Sequence, residues 1–484
     1  TTKDLTVTFN LRKLFVPALA GLGIAASGFL LWLYVLDKPP EKLSVAVLPF
    51  ADELSRESRL ELGDSMAEEI TSRLRSLAKI PVKSNYAVAR FKGTTKSMRS
   101  IGEELGVDCL ITGKVRAAGP EIEVYVELTE TKGENQIWDE RYRDRLSNIM
   151  GIQGRIAERI ASSLLKTLLP GDQELLRKQP AANSDAYRYY IEGRQAWNDR
   201  NEAGYRRAED LFQKAVAADS GYAKAYAGLA DVYSVAGKKA EAREAVRTAL
   251  ELDPRLAEAH ASLGTIDLDL DFNVKGAEIR FRRALELDPE YPVAHYWYGR
   301  LMNMRGRFNE ALMHIERSLE LDPTVSMTYE NLGATYMFSG RYNEGIAAIR
   351  QAIAMNPEQS THKTALYTAL ILASRYQELF DALETYGESR ALSGRFWTYY
   401  ANALMGEKEK AREFIRNNES ALGAASASAA CILYGTLGDL DKGMAWAEKA
   451  VEAREFWILY SYVNPVFKPF HSDPQMIALW KRLG

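Results

Sequence analysis

Four similar phrases recur at nearly equal intervals in the middle of the chain and constrain its fold more than any other feature. Leu-Asp-Pro ends at Pro254, Pro289 and Pro323, and the variant Met-Asn-Pro ends at Pro357, so successive prolines are 34 or 35 residues apart. A period of this length is typical of helix–turn–helix units. One such unit cannot bury its apolar face alone, so the sequence predicts a stack of them.

The units agree with one another inside as well as at their ends. Tyr226 and Tyr329 open the first helix of two copies, and His260 and His295 occupy the same slot in two others. A small residue such as Gly333 follows, where it lets the second helix of the unit approach closely. This pattern resembles the tetratricopeptide-repeat family, and the resemblance implies an α-solenoid. The shared slot also identifies the two histidines as packing residues rather than ligands or bases.

The repeats extend beyond the regular middle on both sides. An atypical first unit is predicted near Tyr187, and shorter helical pairs follow Pro357. We therefore predict a solenoid of seven to eight repeats over residues 185–460. The aromatic segment 461–484 is predicted to cap the open end of the stack.

A stack of such units exposes a concave groove lined mainly by the first helices. Three of the side chains expected there, Tyr296, Arg300 and Met337, are of types favoured at protein interfaces. We predict that the groove binds a helix or an extended segment of a protein partner; the alternative is an unoccupied, solvated face. From the repeat register, the predicted partner-binding residues are Lys224, Asp231, Tyr296, Arg300, Asn303, Glu330 and Met337.

An uncharged stretch near the N-terminus has the length of a membrane-spanning helix. Residues 16–36 contain no charged side chain, and about 20 apolar residues cross a bilayer as a helix. Residues 1–15 carry a net positive charge, which predicts a cytoplasmic N-terminus. We expect a single-pass protein of a bacterial inner membrane with its bulk in the periplasm. A cleaved signal peptide is the rival interpretation, although its apolar core would be shorter.

Small residues within the same stretch form a second pattern. On paper they match a dinucleotide-binding fingerprint, but that fingerprint needs a preceding strand. Small residues at helical spacing let membrane helices pack closely, so we predict lateral contact with a neighbouring membrane helix. Ordinary use of glycine in membrane helices is the alternative. The residues concerned are Gly21, Gly23, Ala25, Ser27 and Gly28.

Residues 43–170 predict a mixed α/β domain rather than further repeats. Residues 44–50 and 107–115 are rich in β-branched and apolar side chains, as buried strands are, and a hairpin is predicted to turn at Lys132-Gly133. With the helices predicted between them, the order is β-α-β-α-β-β-β-α. This order favours a mixed sheet with helices packed on it.

Several motifs of this region are specific. They include Val47-Leu48-Pro49-Phe50, Gly63-Asp64-Ser65-Met66-Ala67-Glu68-Glu69-Ile70, Ile101-Gly102-Glu103-Glu104-Leu105-Gly106-Val107 and Trp138-Asp139-Glu140-Arg141-Tyr142. With them the region resembles the TolB-N-terminal-like domain that precedes tetratricopeptide repeats in many bacterial membrane proteins. In such relatives the cytoplasmic side often carries a winged-helix, cyclase or kinase domain, none of which is present in this sequence. The resemblance implies a periplasmic sensing or docking half without chemistry of its own.

The remaining sequence gives little indication of catalysis. The net charge of −3 gives no reason to expect nucleic-acid binding, and Cys109 and Cys431 lie in apolar surroundings typical of buried thiols. The acids of residues 267–271 imitate a calcium loop, but Phe272 stands where that loop needs glycine. We therefore predict no cofactor, no metal site and no enzymatic activity.

Together these patterns predict a transmembrane helix, a mixed α/β sandwich domain and an all-α tetratricopeptide solenoid. The favoured function is a non-catalytic membrane-anchored scaffold or adaptor that docks protein partners, such as an accessory subunit of a membrane complex. The alternative is the periplasmic sensory half of a transmembrane signalling protein whose cytoplasmic effector lies outside this sequence. The reading frame before Thr1 would distinguish the two.

Overall fold

A computed structural model of the chain describes residues 43–53, 62–77, 79–83, 85–118, 120–165, 168–177, 184–198 and 201–483. The predicted membrane segment 16–36, with the small residues from Gly21 to Gly28, lies outside these ranges. Within the described ranges, no helix combines the length and the apolar character needed to cross a bilayer.

The first part of the described chain folds around one mixed sheet. Its strands are β1 (Val45–Val47), β2 (Ala51–Asp52), β3 (Cys109–Ala118), β4 (Glu121–Glu130) and β5 (Gln136–Arg145). The order is β1–β3–β4–β5, and β2 also pairs with β3. β1 and β2 run parallel to β3, whereas β3, β4 and β5 are antiparallel neighbours. Every second residue of β4 from Ile122 to Leu128 is buried, so one face of the hairpins points into the core.

One predicted strand is almost absent. The strand expected from Ile80 onward is reduced to a single bridge between Val45 and Val82. The carbonyl of Pro81 accepts a hydrogen bond from the amide of Val45. Proline has no amide hydrogen to donate in return, so the ladder cannot extend.

Helices cover the sheet. In the described ranges of this domain they are α1 (Leu62–Ser76), α2 (Asn85–Ala89), α3 (Met98–Leu105), α4 (Ile149–Leu164) and α5 (Pro170–Arg177). α1 and α4 pack against each other, and Ile70 and Ile156 from their facing sides are fully buried. α3 ends at Gly106, whose φ of 64° is a left-handed conformation that glycine adopts without strain.

Helical pairs fill the rest of the chain as far as residue 452. The pairs are α6 (Ser184–Asn198) with α7 (Glu202–Ala218), α8 (Ala223–Val235) with α9 (Lys239–Leu252), α10 (Ala257–Thr265) with α11 (Val274–Leu287), α12 (Pro292–Met304) with α13 (Phe308–Leu321), α14 (Ser326–Phe338) with α15 (Tyr342–Met355), α16 (Ser360–Leu372) with α17 (Tyr376–Thr385), α18 (Leu392–Leu404) with α19 (Lys408–Ala425), and α20 (Ala427–Leu437) with α21 (Leu440–Glu452). From α6 to α16, first helices of successive pairs contact one another, whereas second helices are more widely separated. The first helices therefore form the inner, concave layer of the solenoid.

Close approach within a pair depends on the small residue predicted in the first helix. A side-chain Cβ at Gly333 would lie 2.5 Å from Cγ1 of Ile349 and 2.9 Å from the carbonyl oxygen of Gly345. A Cβ at Gly299 would likewise lie 2.6 Å from Cγ1 of Ile315. A larger side chain at either position would push the two helices of the pair apart.

The single 35-residue step in the repeat has a local cause. α10 continues into a π-helical turn, Ile266–Leu270, and such a turn accommodates one residue more than a regular α-helix. Asp267 in this turn accepts a hydrogen bond from Arg243 at 3.1 Å. The acids of residues 267–271 thus lie in an extended turn of a repeat and take part in ion pairs.

The segment after α21 folds back on the stack. It forms two 3₁₀ helices, Phe456–Tyr460 and Pro465–Phe470, and then α22 (Pro474–Leu483). The second 3₁₀ helix packs on α20, where Phe470 is fully buried. The first packs on α12 in the middle of the array, so the chain returns to the concave layer.

The glycine slot yields a prediction about stability. Replacing Gly333 by alanine should destabilise the repeats by about 1–3 kcal/mol, because the added methyl group overlaps Ile349. Gly171→Ala is the matched control, since a Cβ at that position meets no atom within 4 Å. Urea unfolding followed by circular dichroism measures both. Equal midpoints for the two variants would contradict the proposed close packing.

Candidate functional site

The residues predicted to bind a partner share the concave layer but lie in two different surroundings. Lys224 and Asp231 belong to α8, Tyr296, Arg300 and Asn303 to α12, and Glu330 and Met337 to α14. We call the part formed by α6, α8 and α10 the front groove, which includes Arg194, Lys224, Asp231 and Glu258. We call the part formed by α12 and α14 the rear groove, which includes Arg300, Asn303, Glu330 and Met337.

The rear groove is filled by the C-terminal part of the same chain. Tyr460 of the first 3₁₀ helix is only 8% exposed, and its ring centre lies 5.4 Å from that of Phe338. Met337, next to Phe338, is buried as well. The 3₁₀ helix Phe456–Tyr460 thus occupies part of the surface on which a partner was predicted to bind.

An ion pair anchors this segment. Nη1 of Arg300 lies 3.5 Å from a carboxylate oxygen of Asp269, and Arg300 also hydrogen-bonds the hydroxyl of Tyr460. Burial raises the pKa of Asp269, and the charge of Arg300 opposes that rise. Desolvation also works against the charge of Arg300, but Asp269 and Tyr460 outweigh it, so the pKa of Arg300 is raised. The three side chains therefore stabilise one another in a desolvated position.

A second contact closes the return of the chain. The guanidinium group of Arg454 donates a hydrogen bond to the carbonyl of Leu270 at the end of the π-helical turn. It also lies 5.7 Å from the ring centre of Phe272. Both Arg454 and Phe272 have positive φ angles, 53° and 55°, which non-glycine residues adopt rarely. The π-helical turn and the C-terminal segment are therefore fitted to each other.

The predicted exposure of Asn303 and Met337 is wrong. Asn303 is fully buried and donates hydrogen bonds to Asn331 at 3.0 Å and to Thr335 at 2.7 Å. Met337 is buried, and its Cβ lies 3.5 Å from the position of a Cβ at Gly345, so it faces α15, the second helix of its own repeat. The repeat register assigns both positions to first helices, but it contains no information on which of these side chains pack inside the stack.

Glu330 is also engaged within the protein. One of its carboxylate oxygens lies 2.5 Å from Nδ1 of His362 and accepts a hydrogen bond from Thr361 at 2.9 Å. Nε2 of the fully buried His362 is 3.0 Å from the hydroxyl of Ser326. These bonds join α14 to α16, which gives Glu330 a role inside the solenoid.

The front groove has a charged surface of its own. Asp231 accepts a hydrogen bond from Ser262 at 2.5 Å and lies 3.8 Å from Arg194, so three successive first helices meet at this carboxylate. Lys224 and Glu258 are half-buried nearby and form no direct hydrogen bond or ion pair through their charged groups with another described residue. Their charges act on each other at longer range, without a direct hydrogen bond.

Charge and burial oppose each other in the front groove. Desolvation disfavours the charge of Lys224, but Glu258, Glu69 and Glu68 outweigh it, so the pKa of Lys224 is raised. Solvent reaches Glu68 on α1, yet protein surrounds it on most sides, and this desolvation raises the pKa of Glu68 while Lys224 lowers it. The α/β domain thus contributes a carboxylate to the groove.

Ion pairs hold the α/β domain beside the solenoid. The guanidinium of Arg75 donates to Asp288, with one bond of 2.7 Å, and Lys83 lies 3.8 Å from Glu290. At the first repeat, the hydroxyl of Tyr187 donates to the backbone carbonyl of Ser65 at 2.9 Å. The domain therefore contacts the turn before α12 as well as α6, and it forms one wall of the front groove.

The histidines of the repeats make specific hydrogen bonds. Nε2 of His260 is 3.0 Å from the carbonyl of Pro254, and Nε2 of His295 is 3.0 Å from that of Pro289, so each ring ties α10 or α12 to the turn before it. In addition, Nδ1 of His295 lies 2.9 Å from Nδ1 of His314. Since Nε2 of His295 donates to a carbonyl, its Nδ1 accepts and His314 donates. This pair was not predicted from the sequence.

Known protein families match separate parts of the chain. Tetratricopeptide-repeat models match residues 204–266, 281–313 and 328–359. A model described as the second domain of HilA/YgeH-like transcriptional regulators matches residues 41–159. The predicted tetratricopeptide repeats are therefore confirmed.

One curated relative and several solved structures are similar to parts of this chain. A protein of Rhizobium meliloti (strain 1021) named "Putative adenylate cyclase 3" is 26% identical over 282 residues, which are 56% of this chain and 42% of that protein. The chain thus spans less than half the length of this relative.

The solved structures include a thermophilic TPR protein of Thermus thermophilus, which is 19% identical, covers 38% of this chain and 99% of its own, and has a TM-score of 0.34. They also include the type IV pilus biogenesis factor PilW (19% identity, 42% and 93% coverage, TM-score 0.35). A third is YrrB, a TPR protein with an unusual peptide-binding site (26% identity, 37% and 91% coverage, TM-score 0.25).

The fold and the family matches agree on the architecture of the repeats. Parts of the chain are similar to tetratricopeptide-repeat proteins, and a small mixed sheet lies on the N-terminal side of the repeats. Its concave layer is divided between an open front groove and a filled rear groove.

Because Tyr460 fills the rear groove, replacing it should reduce stability strongly, whereas replacing the nearby exposed Tyr462 should not. Tyr460→Ala should lower the free energy of unfolding by about 3–5 kcal/mol, because it removes a buried ring and the hydrogen bond of Arg300. Tyr462→Ala is the control, since Tyr462 is 58% exposed. Urea denaturation compares the two, and an equal loss in both variants would show that the segment is not held in the groove.

The histidine pair predicts a dependence of stability on pH. Burial, together with the neighbouring His295, lowers the pKa of His314 to about 4. An unfolded chain binds this proton near pH 6.5, so the unfolded state gains protons first and stability falls as the pH decreases from about 6.5 to about 4.

Replacing His314 by alanine, the residue at the equivalent position 348, removes this contribution. The difference in unfolding midpoint between the wild-type protein and His314→Ala, measured by urea denaturation at pH 7 and pH 5, should therefore shift in favour of the variant at pH 5. A difference that stays constant across this range would contradict the pairing.

Proposed function

We propose that a protein partner docks in the front groove, between the α/β domain and the first three repeats. The observation that carries this proposal is the division of the concave layer. The rear groove holds Tyr460 of the same chain, whereas the charged groups of Lys224, Glu258 and Glu68 in the front groove interact with one another but form no hydrogen bond or close ion pair among the described residues. The front groove is therefore the concave surface with unused recognition capacity.

The charges of the groove indicate the chemistry of the partner. Arg194 and Asp231 neutralise each other across two helices. The remaining carboxylates of Glu68 and Glu258 flank the single ammonium group of Lys224, which leaves an excess of negative charge. We propose that the partner presents an extended segment with a basic side chain, which the excess negative charge would attract. Tyr296, in the next first helix, lies at the rear end of this path.

A second candidate function is regulation of an effector on a longer chain. Two similarities favour this candidate. Residues 41–159 match the second domain of HilA/YgeH-like transcriptional regulators, and the chain is similar to 42% of a protein named as a putative adenylate cyclase. In that case the α/β domain and repeats form the sensory half of a signalling protein. The reading frame before Thr1 tests this candidate, since an in-frame effector domain would support it and a start codon immediately upstream would oppose it.

We further propose that residues 16–36 anchor the protein in a bacterial inner membrane, with the repeats on the periplasmic side and Gly21, Ala25 and Gly28 facing a neighbouring membrane helix. The uncharged length of this segment and the positive charge before it support the proposal. Cysteine labelling from the periplasmic side tests the orientation. Labelling of Tyr462→Cys in intact cells is expected, whereas labelling only after lysis would contradict it.

Site-specific photo-crosslinking tests the front groove directly. A photoreactive phenylalanine replacing Lys224 should crosslink a discrete partner in native membranes, whereas the same group at Ile279, which is 64% exposed on the outer helix α11, should not. The partner, identified by mass spectrometry and purified, should bind the wild-type protein at least ten-fold more tightly than Glu68→Lys/Glu258→Lys. The same crosslinks from both positions, or unchanged affinity of the double variant, would contradict the proposal.

A further inference from the structure

A cavity lies at the junction of the α/β domain and the first repeat. Its volume is about 610 Å³, within the range of small-molecule sites. Leu62 of α1, Ile149 of α4 and Tyr187 and Ile191 of α6 form an apolar floor. The walls therefore come from both structural units, and a molecule bound there would contact both.

The polar groups of the floor are already hydrogen-bonded within the protein. The hydroxyl of Tyr187 donates to the carbonyl of Ser65 and accepts a hydrogen bond from Gln153 at 3.2 Å. The ring of Tyr187 thus lines the cavity while its hydroxyl is occupied elsewhere. Because this hydroxyl needs no further partner, an apolar ligand would cause no loss of its hydrogen bonds.

The charges at the mouth balance one another. Arg188 lies 3.1 Å from Asp185 and 3.4 Å from Glu192 on the same helix. Glu121 and Arg145 are opposite each other in the β4–β5 register. The mouth therefore offers no excess charge that would select a cationic or an anionic ligand.

We propose that this junction cavity binds an uncharged, lipophilic small molecule. The apolar floor removes the body of the ligand from water, and the neutral mouth admits a molecule without charge. Because such a ligand touches α1, α4 and α6 at once, it binds the docked arrangement of domain and repeats and stabilises that arrangement by mass action. The cavity is thereby a point at which a small molecule controls the wall of the front groove.

The proposal is tested with N-phenyl-1-naphthylamine, an uncharged lipophilic probe that fluoresces in apolar sites. Titration of the full chain should show saturable binding of one probe per chain. Ile191→Trp fills the cavity and should weaken binding at least ten-fold, and Ile279→Trp, the same change at an exposed position, should leave it unaltered. The probe also partitions into detergent, but to the same extent with every variant. Differences in binding between the variants therefore report the cavity.

A second variant keeps the test decisive if Ile191→Trp fails to fold by circular dichroism. Ser147 lies exposed at the mouth, so Ser147→Trp should fold normally and still weaken binding at least ten-fold. The absence of saturable binding to the wild-type protein, or equal binding by Ser147→Trp and Ile279→Trp, would overturn the site. Binding of the anionic probe anilinonaphthalene sulfonate as tightly as the uncharged one would overturn the proposed ligand class.

Discussion

The contact of Asp269, Arg300 and Tyr460 holds the end of the chain in the concave layer of this solenoid. A buried ion pair is costly to desolvate unless further hydrogen bonds satisfy its groups. Here the hydroxyl of Tyr460 supplies such a bond, and the ring of Phe338 packs beside it. Because Tyr460 follows the last helical pair, the ion pair joins the end of the chain to its middle. The rear groove is filled as a consequence, and the front groove is left open.

The α/β domain and the first repeats share a common core. One cluster of buried apolar side chains extends from Val45 in β1 through Tyr187 to Ile266 at the start of the π-helical turn. The buried hydrogen bond between Tyr187 and the carbonyl of Ser65 fixes α1 on α6. A change at this junction therefore reaches the wall of the front groove, which links the cavity and the groove in one structural unit.

Local patterns in the sequence predicted the repeats well, because the constraints that form them are local. The Asp-Pro period and the small residue at Gly333 specify a pair of helices that recurs about every 34 residues, and the extra residue near Ile266 appears as a π-helical turn. The return of the C-terminal segment could not be predicted in this way. Arg454 contacts Leu270 across 184 positions, and no repeat register relates the two.

Some missed features did leave a signal. The run Phe456-Trp457-Ile458-Leu459-Tyr460 is too apolar for a surface segment, and it could have indicated that the end of the array packs against another part of the chain. The pairing of His295 with His314 joins the first and second helices of one repeat, where neighbouring slots face each other. Asn303 left no such signal, because a buried asparagine depends on the partners that the fold brings to it.

Hydrogen–deuterium exchange of the intact protein tests the central claim most directly. The amides of Ser461 and Asn464 donate to the carbonyls of Ile458 and Tyr460, in a segment that is buried against α12. If this segment fills the rear groove, peptides covering residues 458–464 should exchange slowly, at rates similar to those of α12. Exchange of these peptides as fast as that of an unstructured chain would show that the rear groove is open and would contradict the division of the concave layer.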